Sequence, residues 1–249
     1  MVIDWGNATE GLRDDLGNTV ESVWRTLGSA GTWWSGADRL AIVAEIRHAR
    51  SCQHCAECKE SLSPFGVEGT HDVLANTPAT VIDLIHRVVN DPARLTSRWF
   101  EETLGRDVLE TEYVETVGII ACVTAIDYFR TGLGLELLPL PDVQPGEPSR
   151  VEPEDAARKI AWVRTVSPRS ATGELERFWF PTGERGYVPR IFQAASLVPQ
   201  AMIEFGLLSE AMYLPRDRVA SLEGGRGNLS RDQIELIAAR SSALNECFY

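Results

Sequence analysis

Apolar residues recur along this chain at the three- and four-residue spacing of amphipathic helices, whereas alternating runs of the kind that strands need are rare. Residues 38–50 and 80–89 follow the helical spacing, and residues 110–129 form the longest such stretch. The second stretch ends shortly before Pro92, because proline disfavours helix in the residue that precedes it. This periodicity predicts an all-α fold.

A proline-rich segment divides the chain. Five prolines fall within the sixteen residues 138–153, and each removes a backbone donor, so no helix or strand is expected there. We therefore predict an N-terminal helical half over residues 1–138, a linker over 139–153 and a C-terminal helical half over 154–249. In the second half Ser230 is an expected N-cap, with a glutamine three residues later to complete a capping box.

The two predicted halves carry stretches that can be aligned. Residues 109–117 can be laid on residues 229–237 with a leucine and a glutamate in register, and residues 82–92 can be laid on residues 189–199. Two amphipathic helices followed by a third would give the same impression without any duplication. The expectation is a helical bundle of two related halves.

The amino-acid composition excludes some classes of binding partner and indicates the cellular compartment. The 249 residues include 36 acidic and 24 basic side chains, and the net charge of -12 repels nucleic acid and anionic lipid. The longest apolar run, residues 117–126, is far shorter than the roughly 20 residues of a membrane span. The N-terminus lacks the basic and apolar regions of a signal peptide, and five cysteines are an odd number for a secreted disulfide scaffold. The predicted compartment is the cytoplasm, with neither a nucleic-acid nor a membrane partner.

The last residues, 233–249, read Gln-Ile-Glu-Leu-Ile-Ala-Ala-Arg-Ser-Ser-Ala-Leu-Asn-Glu-Cys-Phe-Tyr. This stretch resembles the signature of the alkylhydroperoxidase D and carboxymuconolactone decarboxylase family. In that signature a Glu precedes a Cys by twelve residues, a second Cys follows three residues later, and a His follows four residues after that. Glu235 and Cys247 match the first two positions, and the second Cys and the His would fall beyond Tyr249.

The resemblance implies a thiol peroxidase that needs no cofactor and assembles as a homo-oligomer. A thiolate attacks the hydroperoxide and becomes a sulfenic acid, the partner cysteine resolves it as a disulfide, and a dithiol reductant restores both thiols. Glu235 and the family His would form the proton relay, with Cys247 as the resolving cysteine. On one straight helix those two residues would lie about 18 Å apart, so a helix is expected to end near Leu244 and a new one to begin at Asn245.

Two interpretations of the C-terminal end are open. Some members of the family are suspected to carry selenocysteine at the second cysteine position, and the codon for selenocysteine is easily read as a stop. The alternative is a fragment or an artificial boundary. In both cases the chain as it stands is expected to be a weak peroxidase or an inactive one.

The first half departs from the family signature. Glu115 takes the position of Glu235, but Asp127 stands where Cys247 would be expected, and Cys122 has the surroundings of a small buried hydrophobe. A lyase of the carboxymuconolactone decarboxylase type, with Glu115 and Asp127 in its site, is therefore the rival enzyme.

Three cysteines recur at every third position, Cys52, Cys55 and Cys58, and Cys-X-X-Cys is a signal for redox chemistry or for metal. They are predicted as secondary redox residues beside the C-terminal site. The His of the family signature is missing in both registers, because Lys59 and Leu62 stand four residues after Cys55 and Cys58.

A metal site is the alternative for this cluster. The three thiolates with His48 or His71 would supply four zinc ligands, but structural zinc usually draws on two separated pairs, and an iron–sulfur cluster also needs a fourth ligand. Buried cysteines without chemistry are a further interpretation, and His86, among apolar neighbours, is expected to be a packing residue. The favoured expectation is no metal.

The leading hypothesis from the sequence is a thiol-dependent peroxidase that reduces small organic hydroperoxides. Cys247 and Glu235 are its predicted site residues, and Cys52 and Cys55 are a possible second thiol pair. Its rivals are the lyase and a non-catalytic helical module for oligomerisation or metal binding.

Overall fold

The computed structural model describes residues 3–219, 221, 223–245 and 247. Over these residues the chain forms helices joined by turns and extended segments, with no strand and no sheet. The predicted all-α fold is therefore confirmed. Within the same ranges, no helix combines the length and the apolar character that crossing a membrane requires.

Some of the α-helices begin at side-chain caps that the local sequence supplies. Helix α2 opens with a capping box formed by Ser35 and Asp38, and α6 opens where Glu112 accepts the backbone N–H of Leu109 at 3.0 Å. In chain order the α-helices are α1 (Asp14–Thr26), α2 (Gly36–Ala49), α3 (Gln53–Glu60), α4 (Ala79–Asn90), α5 (Ser97–Leu104), α6 (Glu110–Gly132), α7 (Gly173–Trp179), α8 (Arg190–Ala194), α9 (Pro199–Met212), α10 (Arg216–Val219) and α11 (Arg231–Leu244).

Helix α6 lies at the centre of the packing. It contacts α1, α2, α4 and α9, and α9 also packs against α1. Gly118 allows α6 to approach α9 closely, because a Cβ at this position would lie 2.7 Å from the Cβ of Ala201. Helix α9 belongs to the predicted C-terminal half, and its residues Leu208 and Ala211 join the same apolar core as α1, α2 and α6. The two predicted halves thus share a core.

The aligned stretches of the two halves differ in structure. Residues 82–92 lie mostly on α4, whereas residues 189–199 contain the short helix α8. Residues 109–117 begin the largely buried helix α6, whereas residues 229–237 begin α11, whose buried side chain is that of Ile234. The duplication of the halves stays a prediction.

The proline-rich segment, residues 139–153, contains neither helix nor strand, and it is hydrogen-bonded to the N-terminal half. The backbone N–H of Gln144 donates to the carbonyl of Gly28 at 2.8 Å, and that of Arg150 donates to the carbonyl of Thr32 at 2.9 Å. The segment therefore lies along the turn between α1 and α2, which connects to the helix that leads into the cysteine cluster.

Candidate functional site

Cys52 and Cys55 lie at the start of α3, just after the turn that ends α2. Cys52 is the N-cap residue of α3 and Cys55 follows one turn later, so the two thiols share a face of the helix. Both are buried, with 3% and 4% of their surface exposed. The free N–H groups and the positive dipole end at a helix N-terminus favour a thiolate in this position.

Two imidazoles reach these thiols from other parts of the chain. His86 lies on α4 and is fully buried, and His71 lies in the irregular segment between α3 and α4. The Nδ1 atoms of His71 and His86 are 3.4 and 3.3 Å from Cys55 Sγ. The sulfur atoms of Cys52 and Cys55 and one nitrogen of each imidazole all lie within 4.8 Å of one another.

Each imidazole is hydrogen-bonded to a carboxylate through the ring nitrogen that faces away from the thiols. His86 Nε2 donates to Glu45 Oε1 at 2.9 Å, and His71 Nε2 donates to Asp83 Oδ1 at 3.1 Å. Glu45 is fully buried on α2, and its second oxygen accepts two backbone N–H groups from the segment between α3 and α4. Because Nε2 is engaged in both rings, each imidazole presents Nδ1 to the sulfur atoms.

The two thiols have opposite pKa shifts. Burial acts to raise the pKa of Cys52, but hydrogen bonds from the backbone of Asp72 and Cys55 and from His71 outweigh it and lower that pKa. Burial raises the pKa of Cys55, and the hydrogen bond and charge of Cys52 raise it further. The pair therefore favours a thiolate at Cys52 and a thiol at Cys55.

The two imidazoles also differ in their pKa values. Burial lowers the pKa of His86, although its hydrogen bond with Glu45 acts in the opposite direction. Burial would lower the pKa of His71 as well, but its hydrogen bonds with Asp83 and Cys52 outweigh burial and raise it. His86 is therefore suited to accept a proton, and His71 is suited to donate one.

A cavity of about 470 Å³ borders this group on the side of His71. Its walls include His54, His71, Asp83 and Arg87. The guanidinium of Arg87 lies over the ring of Phe65, with its carbon 4.9 Å from the ring centroid. A small molecule in this cavity would thus meet the His71 imidazole with a cation beside it.

Cys58 and His48 lie outside the group of four. Cys58 Sγ is 3.6 Å from His54 Nε2, and His48 Nε2 is 3.3 Å from a carboxylate oxygen of Asp72. Of the five residues considered as metal ligands from the sequence, the structure brings three into the group: Cys52, Cys55 and His71.

His86 and Glu45 were not identified as functional residues from the sequence. His86 is packed inside the protein, as expected, but its Nδ1 faces a thiol. One signal was present: Glu45 stands between Val43 and Ile46 on α2, and a carboxylate among core positions needs a buried partner. The sequence offered no means of finding that partner on α4.

Glu235 and Cys247 lie at the other end of the chain. Glu235, on α11, has 42% of its side chain exposed and accepts hydrogen bonds from Tyr213 and Arg231. Helix α11 ends at Leu244, close to the expected position, and Cys247 is exposed. The second helix expected beyond this point falls on the last residues, most of which lie outside the described part of the chain.

The carboxylates of the rival lyase site are bound by arginines. Glu115 on α6 is buried and accepts a hydrogen bond from Arg39 at 3.1 Å, and Arg39 also donates to Glu204 of α9 at 2.9 Å. Asp127 accepts from two arginines at the end of α2, at 2.7 and 2.8 Å. Cys122 is buried, as its sequence surroundings predicted. Both carboxylates are thus held in internal ion pairs.

Comparisons of the chain with protein-family models, with curated proteins and with solved structures found no match. The likeness to alkylhydroperoxidase D therefore stays a prediction from the C-terminal residues.

Proposed function

We propose that this chain is a thiol-dependent peroxidase that reduces small organic hydroperoxides with the Cys52–Cys55 pair. The observation that carries the proposal is the contact series from Glu45 through His86 to Cys55, with distances of 2.9 and 3.3 Å. A Glu, a His and a Cys-X-X-Cys pair are the groups that the C-terminal resemblance implies for such an enzyme. The proposal places the reaction at the start of α3 instead of at the C-terminal end.

The first step uses Cys52 as the nucleophile. Its thiolate attacks the terminal oxygen of the hydroperoxide, the S–O bond forms, and the O–O bond breaks. His71, whose Nε2 is bound to Asp83 and whose Nδ1 faces the sulfur atoms, protonates the departing alkoxide from Nδ1 to give the alcohol. Cys52 is left as a sulfenic acid.

The second step uses Cys55 to resolve the sulfenic acid. His86 Nδ1 accepts the thiol proton of Cys55, and Glu45 stabilises the imidazolium that results. The Cys55 thiolate attacks the sulfur of Cys52, the S–S bond forms, and the hydroxyl leaves as water with the proton from His86. Two thiols are oxidised, one hydroperoxide is reduced, and an external dithiol restores the pair.

Burial of the sulfur atoms limits the substrate to small molecules. Both thiols are almost fully covered, and the lining of the neighbouring cavity includes His71 and Asp83 but neither thiol. A hydroperoxide must therefore pass the His71 imidazole to reach Cys52. We expect small hydroperoxides to react faster than bulky ones for this reason.

The test is hydroperoxide consumption by the full chain with dithiothreitol as the dithiol and EDTA in the buffer. Cys52→Ser should abolish turnover, because it removes the sulfur that attacks the hydroperoxide. Cys55→Ser should prevent the internal disulfide and leave Cys52 as a sulfenic acid that only the added dithiol can reduce. His86→Gln should lower the rate by about 10²- to 10⁴-fold, the usual range for a general base. Peptide mass spectrometry after one equivalent of hydroperoxide should detect a Cys52–Cys55 disulfide.

Cys247→Ser decides between the two ends of the chain. If its activity falls to background while Cys52→Ser remains active, the C-terminal site predicted from the sequence is correct and the proposal is wrong. A wild-type chain that consumes no hydroperoxide while both thiols are titratable would also contradict it. Circular dichroism of each variant separates loss of chemistry from loss of fold.

A further inference from the structure

We propose that Cys52, Cys55, His71 and His86 bind one Zn²⁺ ion in the reduced chain. Two sulfur atoms and two imidazole nitrogens lie within 4.8 Å of one another. Three of the four side chains are buried, and that of His71 is 13% exposed. Thiolate and imidazole are the ligands that zinc prefers, whereas Mg²⁺ and Ca²⁺ prefer oxygen. This metal site does not depend on the proposed peroxidase activity.

The spacing of the donor atoms fits a tetrahedral ion. Zinc binds sulfur at about 2.3 Å and imidazole nitrogen at about 2.0 Å, so a sulfur and a nitrogen on one tetrahedral ion lie about 3.5 Å apart. The distances from Cys55 Sγ to the Nδ1 atoms of His71 and His86 are 3.4 and 3.3 Å. An ion can therefore bind between them without a large movement of any of these three side chains.

The carboxylates orient the imidazoles for metal binding. Glu45 and Asp83 accept the Nε2 protons of His86 and His71, so both Nδ1 atoms face the sulfur atoms and would bind the ion in place of any proton they carry. Carboxylates behind histidine ligands are a common feature of zinc sites, because they fix the tautomer and the ring orientation. Here both histidines have one.

The ligands form the two separated pairs that the sequence alone did not reveal. Cys52 and Cys55 come from the start of α3, and His71 and His86 come from the following segment and from α4. The region between α3 and α4 has no α-helix, and a zinc ion would fasten it to both helices. Two thiolates would also balance the charge of the divalent ion inside the protein.

Zinc binding and the disulfide exclude each other, because the Cys52–Cys55 disulfide has no thiolate to offer. Oxidation of the two thiolates by a hydroperoxide, with two protons, would yield the disulfide, an alcohol and water, and would release the ion. Zinc content should therefore follow the redox state of this pair.

The experiment uses the full chain, purified with reductant and without added chelator. Elemental analysis should find one zinc per chain. Replacement by Co²⁺ should give the absorption of a tetrahedral site with thiolate-to-cobalt charge transfer. In competition with a chromophoric chelator, Cys52→Ser and His86→Gln should weaken zinc binding by at least about 100-fold, and Glu45→Gln by about 10- to 100-fold.

His48→Gln is the matched control, since His48 lies on α2 near the cluster and pairs with Asp72 outside the group of four. It should bind zinc as the wild type does. Equal losses in His48→Gln and His86→Gln would overturn the ligand set. The cobalt spectrum of the wild type tests the site even if a variant fails to fold. Absence of thiolate-to-cobalt charge transfer in the reduced protein would overturn the proposed site.

The two proposals fail in different ways. Stoichiometric zinc without hydroperoxide turnover would remove the peroxidase and leave the metal site. Turnover by a chain that binds neither Zn²⁺ nor Co²⁺ would remove the metal site and leave the peroxidase.

Discussion

The start of α3 and the end of α11 both carry a cysteine that the sequence connects to redox chemistry, but among the described residues only the first is surrounded by partners. Cys52 is buried, and groups from α3, α4 and the segment between them lie around it. Cys247 is exposed beyond the end of α11. A spacing within one segment can match a family signature while the groups that would make a thiol reactive are assembled elsewhere by tertiary packing.

The glutamates that align between the halves show the same difference. Glu115 is buried and paired with Arg39, which itself has 1% of its side chain exposed. Glu235 is 42% exposed and pairs with Arg231 one helical turn away. The first pair is part of the core, and the second is a local pair in high dielectric.

Alkylation by iodoacetamide should show the largest contrast. In the folded chain Cys247 should react quickly, whereas Cys122, which is fully buried on α6, should react at least about 1000-fold more slowly, because opening the core helices costs several kcal/mol. Peptide mass spectrometry over time gives both rates. Labelling in denaturant, where all five should react, is the control, and labelling of Cys122 as fast as Cys247 would contradict the burial of Cys122 in the core.

Removal of Arg39 should cause the next largest effect. Arg39→Met leaves two buried carboxylates, Glu115 and Glu204, without their shared partner, and the free energy of unfolding should fall by about 3–5 kcal/mol. Glu235→Gln should lower it by less than about 1 kcal/mol. Urea unfolding followed by circular dichroism measures both, and similar losses in the two variants would place the two glutamates in equivalent environments.

The sequence predicted the helices of the N-terminal half well, because their apolar spacing is regular and long. The predicted stretches 38–50, 80–89 and 110–129 correspond closely to α2, α4 and α6. The C-terminal half was harder, since its helices α7, α8 and α10 are short, and a short helix contains too few turns for its period to be recognised. The packing of α9 against α1 and α6 is a long-range contact that no local pattern encodes.

Only part of the candidate site was predictable, because a sequence shows local motifs but not the long-range contacts between them. Cys52 and Cys55 form a local motif, so they were recognised as redox or metal residues. Their partners come from later in the chain, His71 from the irregular segment and His86 from α4, and their approach depends on the packing of α4 against α2 and α3. A histidine on an apolar helix face has no local feature that distinguishes a packing residue from a ligand.

A smaller difference in the free energy of unfolding, between two substitutions on α11, tests whether this helix packs against the rest of the protein. Ile234 is buried and Leu236, two residues further, is 71% exposed. Ile234→Ala should lower the free energy of unfolding by about 2 kcal/mol, at the low end for a buried isoleucine, while Leu236→Ala should change it by less than about 0.5 kcal/mol. Equal effects in chemical denaturation would mean that α11 contributes nothing to the cooperative core.

The smallest expected effect concerns the pH and salt dependence of the free energy of unfolding, to which Glu110 and Glu235 should contribute differently. Burial acts to raise the pKa of Glu110, but hydrogen bonds from Arg164 and Arg158 outweigh it and lower that pKa below its ordinary value of 4.5. A lowered folded-state pKa stabilises the fold above that ordinary value, and the contribution is lost as the pH falls through the lowered pKa.

Glu110→Gln should therefore cost about 1 kcal/mol at neutral pH, and its difference from the wild type should shrink as the pH drops below 4.5. Added salt should reduce this difference little, since Glu110 is 11% exposed, whereas the small contribution of the more exposed Glu235 should be screened. Urea unfolding across this pH range at low and high salt measures both. If salt abolishes both contributions equally, Glu110 is as accessible as Glu235, and α6 is not fastened to residues 158–164 by a protected ion pair.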